Sequence, residues 1–242
     1  MSSTRKTSAP SGRLSRSKLD LFVRCPLCFW LDARHHVKRP PGYPYTLSIA
    51  VDQLLKAEFD VYRRKGEPHP LMKEFGVDAV PFPDEKRLEA WRDPFRGLEY
   101  KHPLGVTLFG AIDDIFQFPD GTLAIVDYKS TGAKVVSVYE DYLRQMNIYT
   151  YLLEKNGERV ADKGYFVFYQ VDKTRGFEGR LPFNGSVVEV PANVDEIEPL
   201  VANAVRALRS EGAPRPAGDC PYCEWRVKAA AYGDPGQGEL FT

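Results

Sequence analysis

The chain reads as an α/β protein on three observations. Helical and strand periodicities alternate along it, a short acidic hairpin lies near its middle, and its four cysteines fall in two C-x-x-C pairs, Cys25/Cys28 and Cys220/Cys223. The 242 residues carry 43% apolar and 12% aromatic side chains, enough to build a core in one large domain or two small ones. Net charge is zero. That excludes a protein that grips nucleic acid over its whole surface, so any phosphate binding must come from a local patch.

Residues 1–12 are rich in Ser, Thr, Arg and Lys and are expected to be a disordered basic tail. Ser15 suits a helix N-cap, and a short helix should lead to the first cysteine pair. Arg13, Arg16, Lys18 and Arg24, then Arg34, His35, His36, Lys38 and Arg39, form either a basic patch or an ordinary solvated face. Pro40, Pro41 and Pro44 mark a loop. Residues 46–65 read as an amphipathic helix, with Ile49, Leu54, Leu55, Phe59 and Tyr62 recurring at helical spacing. Residues 66–83 are broken by Pro and Gly and read as irregular, and Pro83-Asp84 opens a helix containing Leu88 and Trp91. A hairpin is expected over about 104–129, then a long helix over 138–155 that stops at Asn156-Gly157. Residues 164–171 and 187–190 read as strands and 194–210 as a helix, before a Pro/Gly linker reaches the second cysteine pair. The expected organisation is one domain over 13–230, with a flexible tail over 231–242. There is no internal repeat and no P-loop. No signal peptide or membrane-length apolar run is visible, so a cytoplasmic setting is expected.

The hairpin carries the chemistry. Gly110-Ala111-Ile112-Asp113-Asp114 precedes the turn Pro119-Asp120-Gly121, and Ile125-Val126-Asp127-Tyr128-Lys129 follows it. Pro suits the first position of a type I turn and Gly the left-handed position of a G1 bulge. A three-residue loop of this kind pairs Phe118 with Thr122 and places Asp113 opposite Asp127, with β-carbons about 4.5–5.5 Å apart. Lys129 shares that face and Tyr128 points away. A two-residue Asp120-Gly121 turn would instead oppose Asp114 to Asp127. Like charges facing each other across strands are destabilising, and a bound cation reverses that penalty. Carboxylates suit Mg²⁺ or Mn²⁺, and a nearby lysine can offset charge on a phosphoryl group. The pattern therefore points to metal-dependent hydrolysis of phosphate esters, against the plainer reading of a solvated surface hairpin.

The run G-x-I-D, a turn, and I-V-D-Y-K-S-T resembles the PD-(D/E)xK nuclease superfamily in its RecB-like, CRISPR-associated exonuclease-like branch. Gln145-Met146-Asn147-Ile148-Tyr149 matches that branch's Q-x-x-x-Y motif. Leu14-Ser15-Arg16-Ser17-Lys18-Leu19, leading through Phe22 to Cys25-Pro26, resembles its S-x-L-x-x-F-x-x-C-P opening. The resemblance implies a central mixed sheet flanked by helices, the restriction-endonuclease-like core. It also implies that Asp113, Asp127 and Lys129 are catalytic, that Asp113, Asp127 and the backbone carbonyl of Tyr128 hold Mg²⁺ or Mn²⁺, and that Gln145 and Tyr149 contact the substrate. G-x-I-D selects Asp113 over Asp114, whose substitution is expected to matter less. Where the branch places a metal-binding histidine, this chain has Asp52. It reads equally as a ligand and as an acid favoured by the N-terminal end of a helix.

In a reducing compartment two matched C-x-x-C pairs read as metal ligation rather than disulfides. Four thiolates suit Zn²⁺ or an iron–sulfur cluster. Related exonucleases imply a [4Fe-4S] cluster, whereas the two-and-two arrangement resembles a zinc ribbon. Either would join N- and C-terminal segments. Finally, Gln237, Leu240 and Phe241 form Q-x-x-L-F, which resembles the peptide that docks into bacterial sliding clamps; the alternative is an incidental terminus. The expected function is a DNA exonuclease or end-processing nuclease of repair, recombination or defence. It would act on single strands or ends, with a sliding clamp or helicase as partner. The alternative is a catalytically reduced nucleic-acid-binding or assembly module that keeps the fold and the cysteine site.

Overall fold

The computed structural model describes residues 12–230 and 232. The expectations for the basic tail before residue 12, for the C-terminal tail from 233 on and for Gln237, Leu240 and Phe241 lie outside the described residues. The elements in chain order are β1 (Arg13–Ser15), α1 (Arg16–Arg24), α2 (Pro26–His35), α3 (Thr46–Lys65), α4 (Pro70–Glu74), β2 (Val80–Pro81), α5 (Glu85–Arg92), β3 (Leu98–His102) and β4 (Val106–Gly110). Then follow β5 (Asp114–Gln117), β6 (Leu123–Thr131), α6 (Glu140–Lys155), β7 (Lys163–Val171), β8 (Phe183–Pro191), α7 (Ile197–Arg209) and α8 (Pro221–Ala230). No helix among the described residues is long and apolar enough to cross a membrane.

The chain divides into two compact units. The larger contains Arg13–Arg16 and Tyr43–Pro199 and holds both sheets. One sheet has the order β1-β4-β3, with β1 parallel and β3 antiparallel to β4. The other has the order β2-β5-β6-β7-β8, antiparallel except for the parallel β6–β7 pair. A parallel pair needs a crossover, and α6 supplies it. Both sheets are mixed and helices flank them, as expected. The smaller unit contains Ser17–Gly42 and the described residues from Leu200 on. Its centre is Cys25, Leu27, Cys28, Cys220 and Cys223, packed by Leu21, Trp30, Leu31 and Ala217.

Helix α3 has the expected bounds but not the expected inner face. Leu55, Phe59 and Arg63 are buried, whereas Ile49 and Leu54 are exposed. The buried residues recur every fourth position, one above the other on a helix, and Leu54 is turned about 100° from Leu55. Leu55 and Phe59 join Leu71, Met72, Phe116, Val126, Tyr128, Tyr165 and Val167 in the main core. The stretch expected to be irregular contains α4 and β2. Helix α4 has only five residues, too few for a periodic signal, and is started by Pro70 and by His69, whose Nδ1 accepts the Leu71 N–H at 3.1 Å. Strands β3 and β4 form a hairpin ahead of the acidic one, and the expected linker reaches Cys220, after which α8 carries Cys223.

The sharpest departure is Asp114. It is fully buried, and Arg63 from α3 donates to both its oxygens, at 2.6 and 2.7 Å. Arg92 from α5 reaches Oδ2 at 3.1 Å, and the Tyr128 hydroxyl donates to the same oxygen at 2.5 Å. Arg63 and Arg92 also share Asp60. Removing one partner of a buried ion pair strands the remaining charge, at a cost of about 3–5 kcal/mol. Asp114 is therefore expected to carry a structural load that the sequence does not reveal. Asp114→Ala is predicted to lose about 3–5 kcal/mol in urea denaturation, while Asp113→Ala, which relieves repulsion from Asp127, stays within about 1 kcal/mol of wild type.

Candidate functional site

The loop of the acidic hairpin has three residues. Phe118 N–H donates to Thr122 O and Gly121 N–H to Phe118 O, both at 2.9 Å, and Gly121 takes φ 82°. The ladder that follows pairs Gln117 with Leu123 and Asp114 with Val126. One step further along this register brings Asp113 opposite Asp127. Asp113 Oδ2 accepts a long bond from Tyr128 N–H at 3.4 Å. The Tyr128 side chain is on the other face, in the Asp114 cluster, so its main chain lies between Asp127 and Lys129.

Asp127 is 1% exposed, on a central strand of the sheet. Its Oδ1 accepts from the Gln145 amide and its Oδ2 faces the Lys129 ammonium. Oδ2 is buried, with that ammonium as its close partner. Burial, and then the facing Asp113, push the Asp127 carboxyl up to about 7, against the pull of Lys129. The Lys129 ammonium also stands over the Tyr142 ring, 4.8 Å from its centre.

Asp52 joins the site through a residue that the sequence analysis missed. Lys56, one helical turn on, donates to Asp52 Oδ2 and Asp113 Oδ1, both at 2.8 Å. Burial opposes the Lys56 charge, yet Asp113 and Asp52 hold its pKa above the ordinary value. Asp52 is itself raised, by burial and then by Asp113, against Lys56. The spacing D-x-x-x-K on a helix was the available signal. Arg92, also missed, donates Nε–H to the Asp113 carbonyl at 2.7 Å and thereby fixes the main chain carrying that carboxylate.

Gln145 and Tyr149 lie on one face of α6, which packs on β3, β4 and β6. Both are almost fully buried, and Gln145 is committed to Asp127. Tyr149 passes so close to Gly110 that a Cβ there would meet its Cε1 at 2.5 Å. The glycine of G-x-I-D is thus a steric requirement of the tyrosine in Q-x-x-x-Y. Burial raises the Tyr149 phenol, and Arg16 hydrogen-bonds it and acts the other way.

The donor set fits a hard divalent cation. Two carboxylates face each other, one of them is buried, and their repulsion destabilises the anionic form. Asp52, Asp113 and Asp127 do not converge to common ligating distance, because the Lys56 ammonium stands between Asp52 and Asp113.

The four cysteines do converge. Their sulfurs lie within 4.8 Å of one another, the only such group of potential ligands among the described residues. The Sγ separations are 3.7 Å for Cys25–Cys223, 3.7 Å for Cys28–Cys220 and 3.6 Å for Cys28–Cys223. Burial opposes ionisation of Cys25, but the backbone N–H groups of Cys28 and Ala217 lower its thiol to about 6. Arg39 Nη2 donates to Cys220 Sγ at 3.3 Å. Other members of the expected basic patch have internal partners: Arg13 pairs with Glu99, Lys18 with Asp32 at 2.7 Å, and Arg34 donates to the Leu208 and Ser210 carbonyls.

An acidic hairpin with its lysine, buttressed by a glutamine helix on a mixed sheet, is the arrangement of a phosphodiester-cleaving fold. The sequence profile of the PD-(D/E)XK nuclease superfamily matches residues 34–227, and the chain belongs to that superfamily. Among solved structures it resembles SSO0001, with 15% identity, a TM-score of 0.43, and coverage of 92% of this chain and 88% of that one. It also resembles LHK-Exo, an alkaline exonuclease from Laribacter hongkongensis. The free form gives 13% and the complex with dAMP 12% identity, each with a TM-score of 0.46 and coverage of 91% of this chain and 95% of that one. No curated protein matches.

A four-thiolate site contributes its binding energy to folding. Cys220→Ser is predicted to lower the thermal midpoint by several degrees or more, as is prolonged chelation of the wild type, followed by circular dichroism. A chelated sample and a variant that both melt like the untreated wild type would rule out a structural metal.

Proposed function

We propose that the chain is a metal-dependent DNA nuclease that hydrolyses phosphodiester bonds at single strands or ends. The observation that carries this reading is the opposition of Asp113 and Asp127 with Lys129 two residues on, in a chain of the nuclease superfamily. Asp113, Asp127 and the main-chain carbonyl of Tyr128 would hold Mg²⁺ or Mn²⁺, with Asp52 as a further carboxylate within reach of a short shift of Lys56. When bound, the ion supplies Lewis acidity to the phosphoryl group and makes water more acidic.

The protein's own groups account for the rest. Lys129 hydrogen-bonds the attacking water and offsets negative charge growing on the phosphoryl oxygens. Gln145 fixes the Asp127 carboxylate through Oδ1 and so aims Oδ2 into the site. Arg92 holds the Asp113 main chain. Gln145 and Tyr149 would reach the substrate strand only where their edges border the cleft, so positioning comes first. Three Sγ separations of 3.6–3.7 Å, with all four sulfurs within 4.8 Å of one another, support one tetrahedral ion such as Zn²⁺ at the cysteines. Metal–sulfur bonds of about 2.3 Å give tetrahedral edges of about 3.8 Å, and a cubane would hold the thiolates further apart.

A second reading is the catalytically reduced module. The Lys56 ammonium between Asp52 and Asp113 favours it, since a built-in cation already neutralises part of the site.

With Mn²⁺ and labelled single-stranded DNA, the wild type is predicted to cleave. Lys129→Ala and Asp127→Asn should each lose about 10²–10³-fold in rate with DNA binding retained. No cleavage by the wild type across Mg²⁺ and Mn²⁺ would select the reduced module. The purified protein is predicted to be colourless and to carry about one equivalent of zinc by elemental analysis, with no visible absorption shoulder.

A further inference from the structure

The smaller unit carries a groove that the catalytic chemistry leaves unused. Its volume is about 640 Å³, and its walls come from both cysteine-bearing segments, among them Val37, Lys38, Arg39, Tyr222, Trp225 and Arg226. The apolar part is unusually open. Trp225 is 69% exposed and Tyr222 40%, although both sit on a helix anchored by a buried cysteine. Indole rings normally bury most of their area, so one left standing at a groove edge suggests a ligand with a flat apolar face.

Apart from the cysteines, the charged residues of the groove are of one sign. Lys38, Arg39 and Arg226 line it, and no acidic residue does. No hydrogen bond or ion pair engages Lys38 or Arg226 among the described residues. Arg39 is held in place: its guanidinium stacks 4.5 Å from the Tyr222 ring centre and donates to Cys220. Its Nε–H is buried and has no acceptor among the described residues. Arg39 is therefore a fixed planar cation lying on an aromatic ring. An apolar peptide would match the rings but leave Lys38 and Arg226 without a partner. A duplex would match the cations but hide its base faces.

We propose that this groove binds single-stranded nucleic acid, with bases stacked on Trp225 and Tyr222 and phosphates on Lys38, Arg39 and Arg226. Aromatic platforms beside cations bind single strands with little sequence preference, because every base has a π-face. The cysteine site has a second consequence on this reading. By tying α2 and the segment after it to α8, it holds the two walls of the groove together.

The test is binding to the full-length, metal-bound chain without added divalent cation, so that no turnover is read. The probe is a fluorescein-labelled thymidine oligonucleotide of about 20 nucleotides, longer than one such platform spans. Trp225→Ala should raise Kd about 10-fold, with Trp225→Phe recovering most of the loss. Arg226→Gln should reduce the slope of log K against log salt by about 0.7. Both side chains are exposed, so unchanged circular dichroism and metal content will establish folding. Wild-type affinity in Trp225→Ala would overturn the proposal, as would variants that lose only an apolar dye or peptide. The nuclease reading fails separately. A wild type that binds the oligonucleotide through Trp225 yet never cleaves sinks that reading and leaves this one intact, and cleavage with binding indifferent to Trp225 does the opposite.

Discussion

Two arginines from different helices converge on one buried carboxylate. Arg63 of α3 and Arg92 of α5 both hold Asp114, at the first residue of β5, and Tyr128 closes the cluster from β6. Neither charge could stay buried alone, because desolvation would cost several kcal/mol per ion. The cluster therefore fixes where both helices meet the hairpin. It also fixes the next residue. Asp113 has its carbonyl held by Arg92 and its side chain turned the opposite way, toward Asp127. The neighbouring aspartates thus differ: Asp114 is locked in the ionic cluster and Asp113 faces Asp127.

The two sides of β6 follow the same logic. Tyr128 points into a compensated ionic cluster. Asp127 and Lys129 point into one that is left unbalanced. Asp127 sits opposite Asp113 in a buried place, where each anion raises the energy of the other. Lys56 and Lys129 relieve part of this. Stored repulsion of this kind is tolerable only because the surrounding sheet is over-determined. Gly110 admits Tyr149, and Gly164 lies where a Cβ would strike Met146, so α6 presses close enough for Gln145 to reach the strand.

The smaller unit buries Leu19, Phe29, Val201, Val205 and Leu208 besides its four cysteines. Its segments are separated by 192 to 198 residues between paired cysteines. Loop-closure entropy grows only slowly with such lengths, so one metal ion held by all four thiolates would suffice to hold the ends.

Much of this was legible in the sequence. Pro119-Asp120-Gly121 determines a three-residue turn, since only the glycine accepts φ 82° without strain, and the turn sets the register that opposes Asp113 to Asp127. The C-x-x-C pairs determine that four thiolates can share a site, and the bounds of α3 follow from its composition and from Gly66 at its end. These features are local, governed by dihedral preferences and short spacings. What the sequence left open depends on partners brought from afar. Which face of α3 turns inward, why Arg63 occupies a core position, and that Lys56 links Asp52 to Asp113 are settled by where α5, β5 and β6 place their charges. A charge is legible as buried only once its partner is known, and the partners of Asp114 lie 51 and 22 residues away along the chain.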